Sequence, residues 1–202
     1  MGELVVNMFV TLDGVVQAPG GPDEDTAGGF GHGGWQAPFM DEENGALIGE
    51  DIAGMDALLL GRRTYDIFAA YWPHEDNPIA RQLNQVPKYV ASRTLKTAAW
   101  SNAQIIQGDV AAEVPRIKRK HAELHTWGSA NLLQTLMKND LVDRLNLWLY
   151  PVVLGSGKRL FEPGAVPTSF KLTETRAFSK GAVMLNYEKA GRPRYGDMAA
   201  TQ

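Results

Sequence analysis

The feature of the sequence that most constrains the fold is a regular alternation of short β-rich segments with helical segments. The pattern predicts strands at residues 4–12, 57–60, 88–92, 104–107, 124–127, 143–154, 170–178 and 182–189. It predicts helices at residues 41–54, 64–71, 78–85, 109–120 and 129–138, the fourth of which begins or kinks at Pro115. Alternation followed by two neighbouring strands is typical of an α/β domain whose sheet is mostly parallel, with an antiparallel C-terminal edge. We predict one domain over residues 1–190 and a loose polar tail over residues 191–202.

Composition narrows the classes of function. The 202 residues are 44% hydrophobic and 21% charged, with a net charge of −3, which gives no overall attraction to nucleic acid or to an anionic membrane. No cysteine is present, so disulfides, thiolate metal sites and a cysteine nucleophile are excluded, and a cytoplasmic location fits. The start, MGELVVNMFV, lacks the features of a signal peptide, and no apolar run approaches the roughly 18 residues of a membrane span. The four histidines show no metal-binding spacing, and we predict no metal site.

Polar turns follow three of the predicted parallel strands. They are Gly61, Arg62, Arg63 and Thr64 after the second strand, Ser92, Arg93 and Thr94 after the third, and Gly128, Ser129, Ala130 and Asn131 after the fifth. In sheets of this class, ligands bind beyond the carboxyl ends of the strands. Arginine forks and helix N-termini both favour phosphate, so the three turns together predict a site for a ligand that carries several phosphates. A dinucleotide with a 2′-phosphate fits. The alternative is that the arginines are solvated residues at helix starts.

The same residues carry a family resemblance. The succession TLDG, LLLGRRTY, YVASRT, WGSANLL and LVDRLNLWLYPVVLGSGKRLF resembles the dihydrofolate reductase-like superfamily, in the branch of the riboflavin-biosynthesis reductase domain. The resemblance spans residues 4–189 and implies a three-layer fold with a central sheet of about eight strands and NADPH as hydride donor. It implies that Gly61, Arg62, Arg63 and Thr64 hold cofactor phosphates and that Ser92, Arg93 and Thr94 meet the 2′-phosphate. The remaining cofactor-binding residues, under the pyrophosphate, are Gly128, Ser129, Ala130, Asn131 and Leu132.

One position departs from the family pattern. The family usually has two glycines where this chain has Gly128 and Ser129. The second glycine lets the backbone pass close to the cofactor, and a serine Cβ makes that approach costlier.

Candidates for the chemistry are acidic. Reduction of a C=N or C=O bond needs a proton, which a carboxylate or an ordered water commonly supplies. Asp41, Glu42 and Glu43 open the first helix, although a helix start attracts acids for structural reasons as well. Asp13 follows the first strand but is also a common turn residue before glycine. Trp35, in a loop with seven glycines between residues 18 and 35, covers the active site or anchors the loop to the core.

A last glycine-rich turn follows the long sixth strand. We expect Gly155, Ser156, Gly157 and Lys158 to bind substrate, with the lysine meeting a phosphate or carboxylate, although an exposed hairpin is the plainer alternative. The resulting hypothesis is an NADPH-dependent reductase of a small pterin-like, pyrimidine-like or carbonyl substrate. The alternative is a nucleotide-binding regulatory module without turnover. No deaminase zinc motif is present, so the two-activity riboflavin enzyme is excluded.

The sixth strand also suggests an assembly. Leu145, Leu147 and Leu149 share one face, and Trp148 and Tyr150 lie on the other. Aromatic side chains with a polar tip are enriched at protein interfaces, and the resembling reductases commonly pair through this part of the sheet. We predict a homodimer with Trp148 and Tyr150 at or beside the contact. The alternative is that both lie under a helix of the same chain.

Overall fold

The computed structural model describes residues 2–198 of the chain. The strands are β1 (Glu3–Thr11), β2 (Ala57–Gly61), β3 (Lys88–Ala91), β4 (Ala103–Ile105), β5 (Glu123–Trp127), β6 (Arg144–Tyr150), β7 (Ser169–Ala177) and β8 (Val183–Gly191). The helices are α1 (Glu42–Ala53), α2 (Arg62–Tyr71), α3 (Pro78–Gln85), α4 (Val110–Lys118) and α5 (Ala130–Lys138).

All eight strands form one sheet in the order β4-β3-β2-β5-β1-β6-β8-β7. The pairings from β4 to β6 are parallel, and β8 pairs antiparallel with both β6 and β7. The predicted α/β class, with a mostly parallel sheet and an antiparallel C-terminal edge, is therefore confirmed. The carboxyl ends of β1, β2, β3 and β5 lie along one edge, because parallel neighbours end on the same side.

Helices cover both faces of the sheet. Ile48 and Ile52 of α1 and Leu83 of α3 belong to the core on one face, with Trp148 of β6. On the other face, residues of α4 and α5 pack with Leu4 and other apolar residues of β1. Strands buried on both faces read as continuous apolar runs, which is why Ala57–Gly61 was recognisable in the sequence.

Three helices begin at a residue whose side chain caps the first turn. Asp41 accepts a hydrogen bond from the backbone N–H of Asn44, Asn77 from that of Ala80, and Asp109 from that of Ala111. α4 begins at Val110, directly after the predicted cap Asp109, so Pro115 lies inside the helix and does not start it.

The sixth strand is shorter than predicted. Its apolar pattern continues to residue 154, but β6 ends at Tyr150 because Pro151 has no N–H to donate to a neighbouring strand. At the C-terminus β8 extends to Gly191, one residue past the predicted end of the domain. Residues 192–198 contain neither a strand nor an α-helix, and the rest of the predicted tail, residues 199–202, lies outside the described residues.

The predicted role of Trp148 and Tyr150 in a dimer contact requires correction. Both side chains are fully buried inside this chain. The ring of Trp148 stacks on Phe178 with 5.8 Å between centroids, and the hydroxyl of Tyr150 accepts a 2.7 Å hydrogen bond from Gln36 Nε2. The pleat pattern identified two faces, but the aromatic face is the one that this chain covers with its own residues.

Candidate functional site

A cavity of about 1040 Å³ opens at the carboxyl edge of β2, β3 and β5. The three polar turns predicted from the sequence meet there. The lining includes every predicted cofactor-binding residue: Gly61, Arg62, Arg63, Thr64, Ser92, Arg93, Thr94, Gly128, Ser129, Ala130, Asn131 and Leu132. A cavity of this size holds a ligand of dinucleotide class.

The arginines of the first turn are already engaged within the chain. Arg62 Nε donates to both carboxylate oxygens of Asp66, at 2.8 and 2.7 Å. Arg63 Nη2 lies 3.3 Å from Asp25 Oδ1, a carboxylate of the glycine-rich loop. These pairs hold the two guanidinium groups at the cavity but neutralise part of their charge.

The second turn is organised by its serine. Ser92 Oγ accepts hydrogen bonds from the backbone N–H groups of Thr94 and Leu95, at 3.3 and 3.0 Å. Arg93 between them is exposed and, within the part of the chain that the structure describes, makes no ion pair or hydrogen bond. Because Arg62, Arg63 and Lys158 are paired, Arg93 is the lining cation best able to accept an external anion.

The third turn contains the departure from the family pattern. Gly128 and Ser129 both have positive φ, 75° and 69°, a region that serine adopts only at a cost. Ser129 Oγ accepts a 2.8 Å hydrogen bond from the backbone N–H of Gly61 and donates to Thr64 Oγ1 at 2.8 Å. The serine therefore ties the turn after β5 to the turn after β2, while α5 begins directly after it and presents its N-terminus to the cavity.

The acids at the start of α1 lie away from the cavity. Asp41 caps the helix and also accepts hydrogen bonds from the hydroxyl and N–H of Ser179, at 2.5 and 3.0 Å. The hydroxyl of Ser179 is the main reason that the pKa of Asp41 lies below its usual value. Glu42 and Glu43 are exposed, and Glu43 lies 3.5 Å from Arg176 of β7. None of the three lines the cavity.

Asp13 holds a turn together. Its carboxylate accepts hydrogen bonds from Thr11 Oγ1 at 2.6 Å and from the backbone N–H groups of Leu154 and Gly155, at 3.2 and 2.8 Å. The hydrogen bond from Thr11, together with those from the backbone, lowers the pKa of Asp13 to about 2. A carboxylate held ionised in this way joins the turn after β1 to residues 154–155 and is poorly suited to carry a proton at neutral pH.

Trp35 anchors the glycine-rich loop to the core. Its side chain is buried, its Nε1 donates a 2.7 Å hydrogen bond to the carbonyl of Gln17, and its ring lies 5.6 Å from that of Tyr150. The sequence left open whether Trp35 covers the active site or anchors the loop, and this geometry matches the anchoring role.

The turn after β6 contributes one residue to the cavity. Lys158 lines it, whereas Gly155, Ser156 and Gly157 do not. Gly157 has a φ of 123°, and a Cβ there would lie 2.7 Å from Val15, so the glycine is needed for close packing. Lys158 Nζ lies 2.5 Å from Asp25 Oδ2, so the ammonium group of Lys158 is paired with a carboxylate of the same chain.

Residues of the glycine-rich loop form a part of the site that the sequence did not indicate. Asp25 is buried between Lys158 and Arg63; burial acts to raise its pKa, but the hydrogen bond from Lys158 and the two positive charges outweigh burial and lower it. Gln17 Nε2 donates to the carbonyls of Asp25 and Ala27, at 2.9 and 3.0 Å. Neither residue has a spacing or motif that could identify it, because its partners are distant in the sequence.

The inner wall of the cavity is apolar. It is formed by side chains from β1, β5, helices α1 to α3 and the turn after α2, namely Phe9, Trp127, Ile48, Ile52, Phe68, Ile79, Leu83 and Trp72. The wall therefore suits a flat, largely uncharged ring or carbonyl compound.

Two negative findings apply to residues 2–198. No group of three or more acidic or histidine side chains there is arranged to hold a metal ion, and His125 instead contacts Asn7 and Glu123. None of the helices in this range has the length and apolar character needed to cross a membrane.

Comparison with known proteins places this chain in a family. The profile of the RibD C-terminal domain matches residues 3–184. An uncharacterised protein of Bacillus subtilis (strain 168), YyaP, is 28% identical, over 93% of this chain and 95% of the relative.

Solved structures share the fold. A putative riboflavin biosynthesis protein from Shewanella sp. PV-4 superposes with a TM-score of 0.67 at 20% identity, covering 93% of this chain and 98% of the other. A dihydrofolate reductase from Enterococcus faecalis, in complex with NADP(H), superposes with a TM-score of 0.60 at 13% identity, over 94% and 97% of the two chains. The fold is therefore dihydrofolate reductase-like, and the chain belongs to the RibD C-terminal domain family.

Proposed function

We propose that the protein is an NADPH-dependent reductase of a small heterocyclic or carbonyl substrate. The proposal rests on one observation. Three turns of the kind that bind phosphate line a single cavity, and the inner wall of that cavity is apolar. Family membership supports the reductase class, and the fold is shared with a dihydrofolate reductase that was solved with NADP(H).

The residues present fit the cofactor. The N-terminus of α5 and the turn hydroxyls offer donors for a pyrophosphate, and Arg93, which has no ion-pair partner among the described residues, offers a guanidinium for a 2′-phosphate. When bound, the cofactor supplies the hydride. The chain binds and orients both reactants, excludes water with its apolar wall, and supplies the proton.

The runner-up is a nucleotide-binding module without turnover. Two observations favour it: Ser129 occupies the N–H of Gly61, and the predicted acids Asp13, Asp41, Glu42 and Glu43 are all away from the cavity.

We also propose a homodimer, through the face of the sheet opposite to Trp148. On that face β6, β8 and β7 present Leu147, Leu149, Tyr187 and Leu172, and Leu172 is 46% exposed. A long apolar edge face of this kind is commonly covered by a partner.

An absorbance assay tests the reductase proposal. Purified protein with NADPH is offered 7,8-dihydrofolate, phosphoribosylaminopyrimidines and simple dicarbonyl compounds, and loss of dihydronicotinamide absorbance is followed. The proposal predicts turnover with at least one class and none without protein. Tight NADPH binding with no turnover across the panel would favour the binding module instead.

A further inference from the structure

Four carboxylates line the cavity, and two of them, Glu24 and Asp109, form no ion pair within the described residues. Asp25 is paired with Lys158 and Arg63, and Asp66 is paired with Arg62. Asp109 caps α4. The fourth, Glu24, is half-buried, and its hydrogen bonds within the described residues come from backbone groups alone.

Glu24 is held in place through one of its two oxygens. Its Oε2 accepts hydrogen bonds from the backbone N–H groups of Gly20 and Gly21, at 2.6 and 3.2 Å. Oε1 has no hydrogen-bond partner in the described residues, yet it is not among the buried polar atoms that are sealed from solvent. One oxygen therefore fixes the side chain, and the other is available to a ligand or to water.

The segment that carries Glu24 is itself anchored. Gln17 donates to the carbonyls of Asp25 and Ala27, and the carbonyl of Gln17 accepts the indole N–H of Trp35. Asp25, the next residue in the chain, is tied to Lys158 on the far side of the loop. A carboxyl group between such anchors is preorganised, which is what a proton donor needs.

Burial of Glu24 favours its neutral form. Desolvation raises the pKa of this carboxyl group, and it outweighs the two backbone hydrogen bonds, which act in the opposite direction. The nearby charge of Asp25 also raises it, although Lys158 and Arg63 compensate that charge. A bound anionic nucleotide adds negative charge to the same cavity and favours protonation further.

We propose that Glu24 is the proton donor of the cavity, loaded with its proton when an anionic nucleotide binds. The proposal rests on the proposed reductase function. In the step, the hydride brings two electrons to the carbon of a C=O or C=N bond, and the π electrons move to the oxygen or nitrogen. The carboxyl O–H bond of Glu24 breaks, a new O–H or N–H bond forms on the substrate, and the carboxylate regains a proton from water.

Calorimetry tests the loading independently of turnover. NADP⁺ is titrated into the protein at near-neutral pH in two buffers of different ionisation enthalpy, so that the difference in heat reports protons taken up. We expect wild type to take up a fraction of a proton per nucleotide and Glu24→Gln to take up none. The amide still accepts the Gly20 and Gly21 hydrogen bonds, so the loop is retained. Asp23→Asn, an exposed neighbour with the same change of charge, is the matched control and should behave as wild type.

Turnover provides the second readout, on the substrate found in the absorbance screen. We expect Glu24→Gln to lower its rate about 10²–10⁴-fold with little change in NADP⁺ affinity. Equal uptake in wild type and Glu24→Gln, or a retained rate, would overturn the assignment while leaving the reductase function intact. Failure of wild type to bind NADP⁺ at all would instead reject the reductase function, and the role of Glu24 with it.

Discussion

Ser129 Oγ and the backbone nitrogen of Gly61 lie 2.8 Å apart and join the turns that follow β5 and β2. A Cβ on Gly61 would lie 3.1 Å from the same oxygen, a tight contact that glycine at position 61 avoids. Without this contact, the N–H of Gly61 could donate a hydrogen bond to a phosphate oxygen. Ser129, which stands where the family usually has a second glycine, therefore has a structural role: its hydroxyl occupies a backbone N–H group at the cavity edge where we expect phosphate to bind.

Replacing Ser129 tests this account. In Ser129→Gly, the positive φ no longer costs free energy, and the N–H of Gly61 becomes available to phosphate. One added hydrogen bond to a charged acceptor is worth about 1.5–3 kcal/mol, and part of that is spent on ordering the turn, so we expect roughly threefold to tenfold tighter NADPH binding. Fluorescence titration measures it. Ser129→Ala removes the hydroxyl without relieving φ and should show a smaller gain; unchanged or weaker binding in both variants would contradict the account.

The dimer proposal predicts opposite results for two positions. Leu172→Glu places a charge on the exposed apolar face and should convert the dimer to a folded monomer, as measured by light scattering and circular dichroism. Trp148→Glu buries a charge in the core and should unfold the chain.

A control for the dimer test comes from the same strand. Lys171→Glu changes the exposed neighbour on the other face of β7 and should leave the molar mass of the dimer, as measured by light scattering, unchanged. A wild type that is monomeric at micromolar concentration rejects the dimer, and a Leu172→Glu variant that stays dimeric rejects this face.

Asp51 of α1 predicts a pH dependence of stability. Burial raises the pKa of this carboxyl group to about 6, even though Arg144 acts to lower it, and its Oδ2 has no hydrogen-bond partner in the described residues. The folded state therefore binds more protons than the unfolded state between the ordinary pKa of 3.8 and about 6, and stability falls as pH rises through that window. Asp51→Asn should stabilise the protein by roughly 1–2 kcal/mol at pH above the window, after allowance for partial exposure, and by little below it.

Urea unfolding at the two ends of the window measures this difference. Glu50→Gln, the exposed neighbour, is the control and should change stability little at either pH. An Asp51→Asn variant that is equally stabilised at both pH values would show that the effect does not arise from ionisation.

The sequence predicted local structure well wherever a single residue decides it. α3 was predicted at its observed bounds because Pro78 opens it, and the turns after β2, β3 and β5 were found because polar residues follow short apolar runs. β6 was predicted too long because apolar residues continue past Pro151, where hydrogen bonding stops. Pro151 was the available signal for this end, because proline cannot donate a hydrogen bond to a neighbouring strand.

Features that depend on distant contacts were missed. Alternation along β6 identified its two faces but not which face the chain itself covers, so Trp148 and Tyr150 were assigned to an interface. Acidic residues at a helix start fit both a catalytic role and helix capping, and the sequence could not separate the two; in the structure, Asp41 caps α1. Glu24 and Asp25 lie in a loop without periodicity, and their environment is set by Gly20, Gly21 and Lys158 in three dimensions.

The most direct test of the central claim compares NADPH with NADH. Arg93 is the lining cation without a partner in the described part of the chain, and a charge-assisted bond to a 2′-phosphate is worth about 1.5–3 kcal/mol. Fluorescence titration of wild type and Arg93→Ala with both nucleotides measures its contribution. We predict that wild type binds NADPH at least about tenfold more tightly than NADH, and that Arg93→Ala loses this preference while its NADH affinity is nearly unchanged. Equal affinities of wild type for the two nucleotides, or a parallel loss of both in Arg93→Ala, would contradict the assignment of this cavity to NADPH.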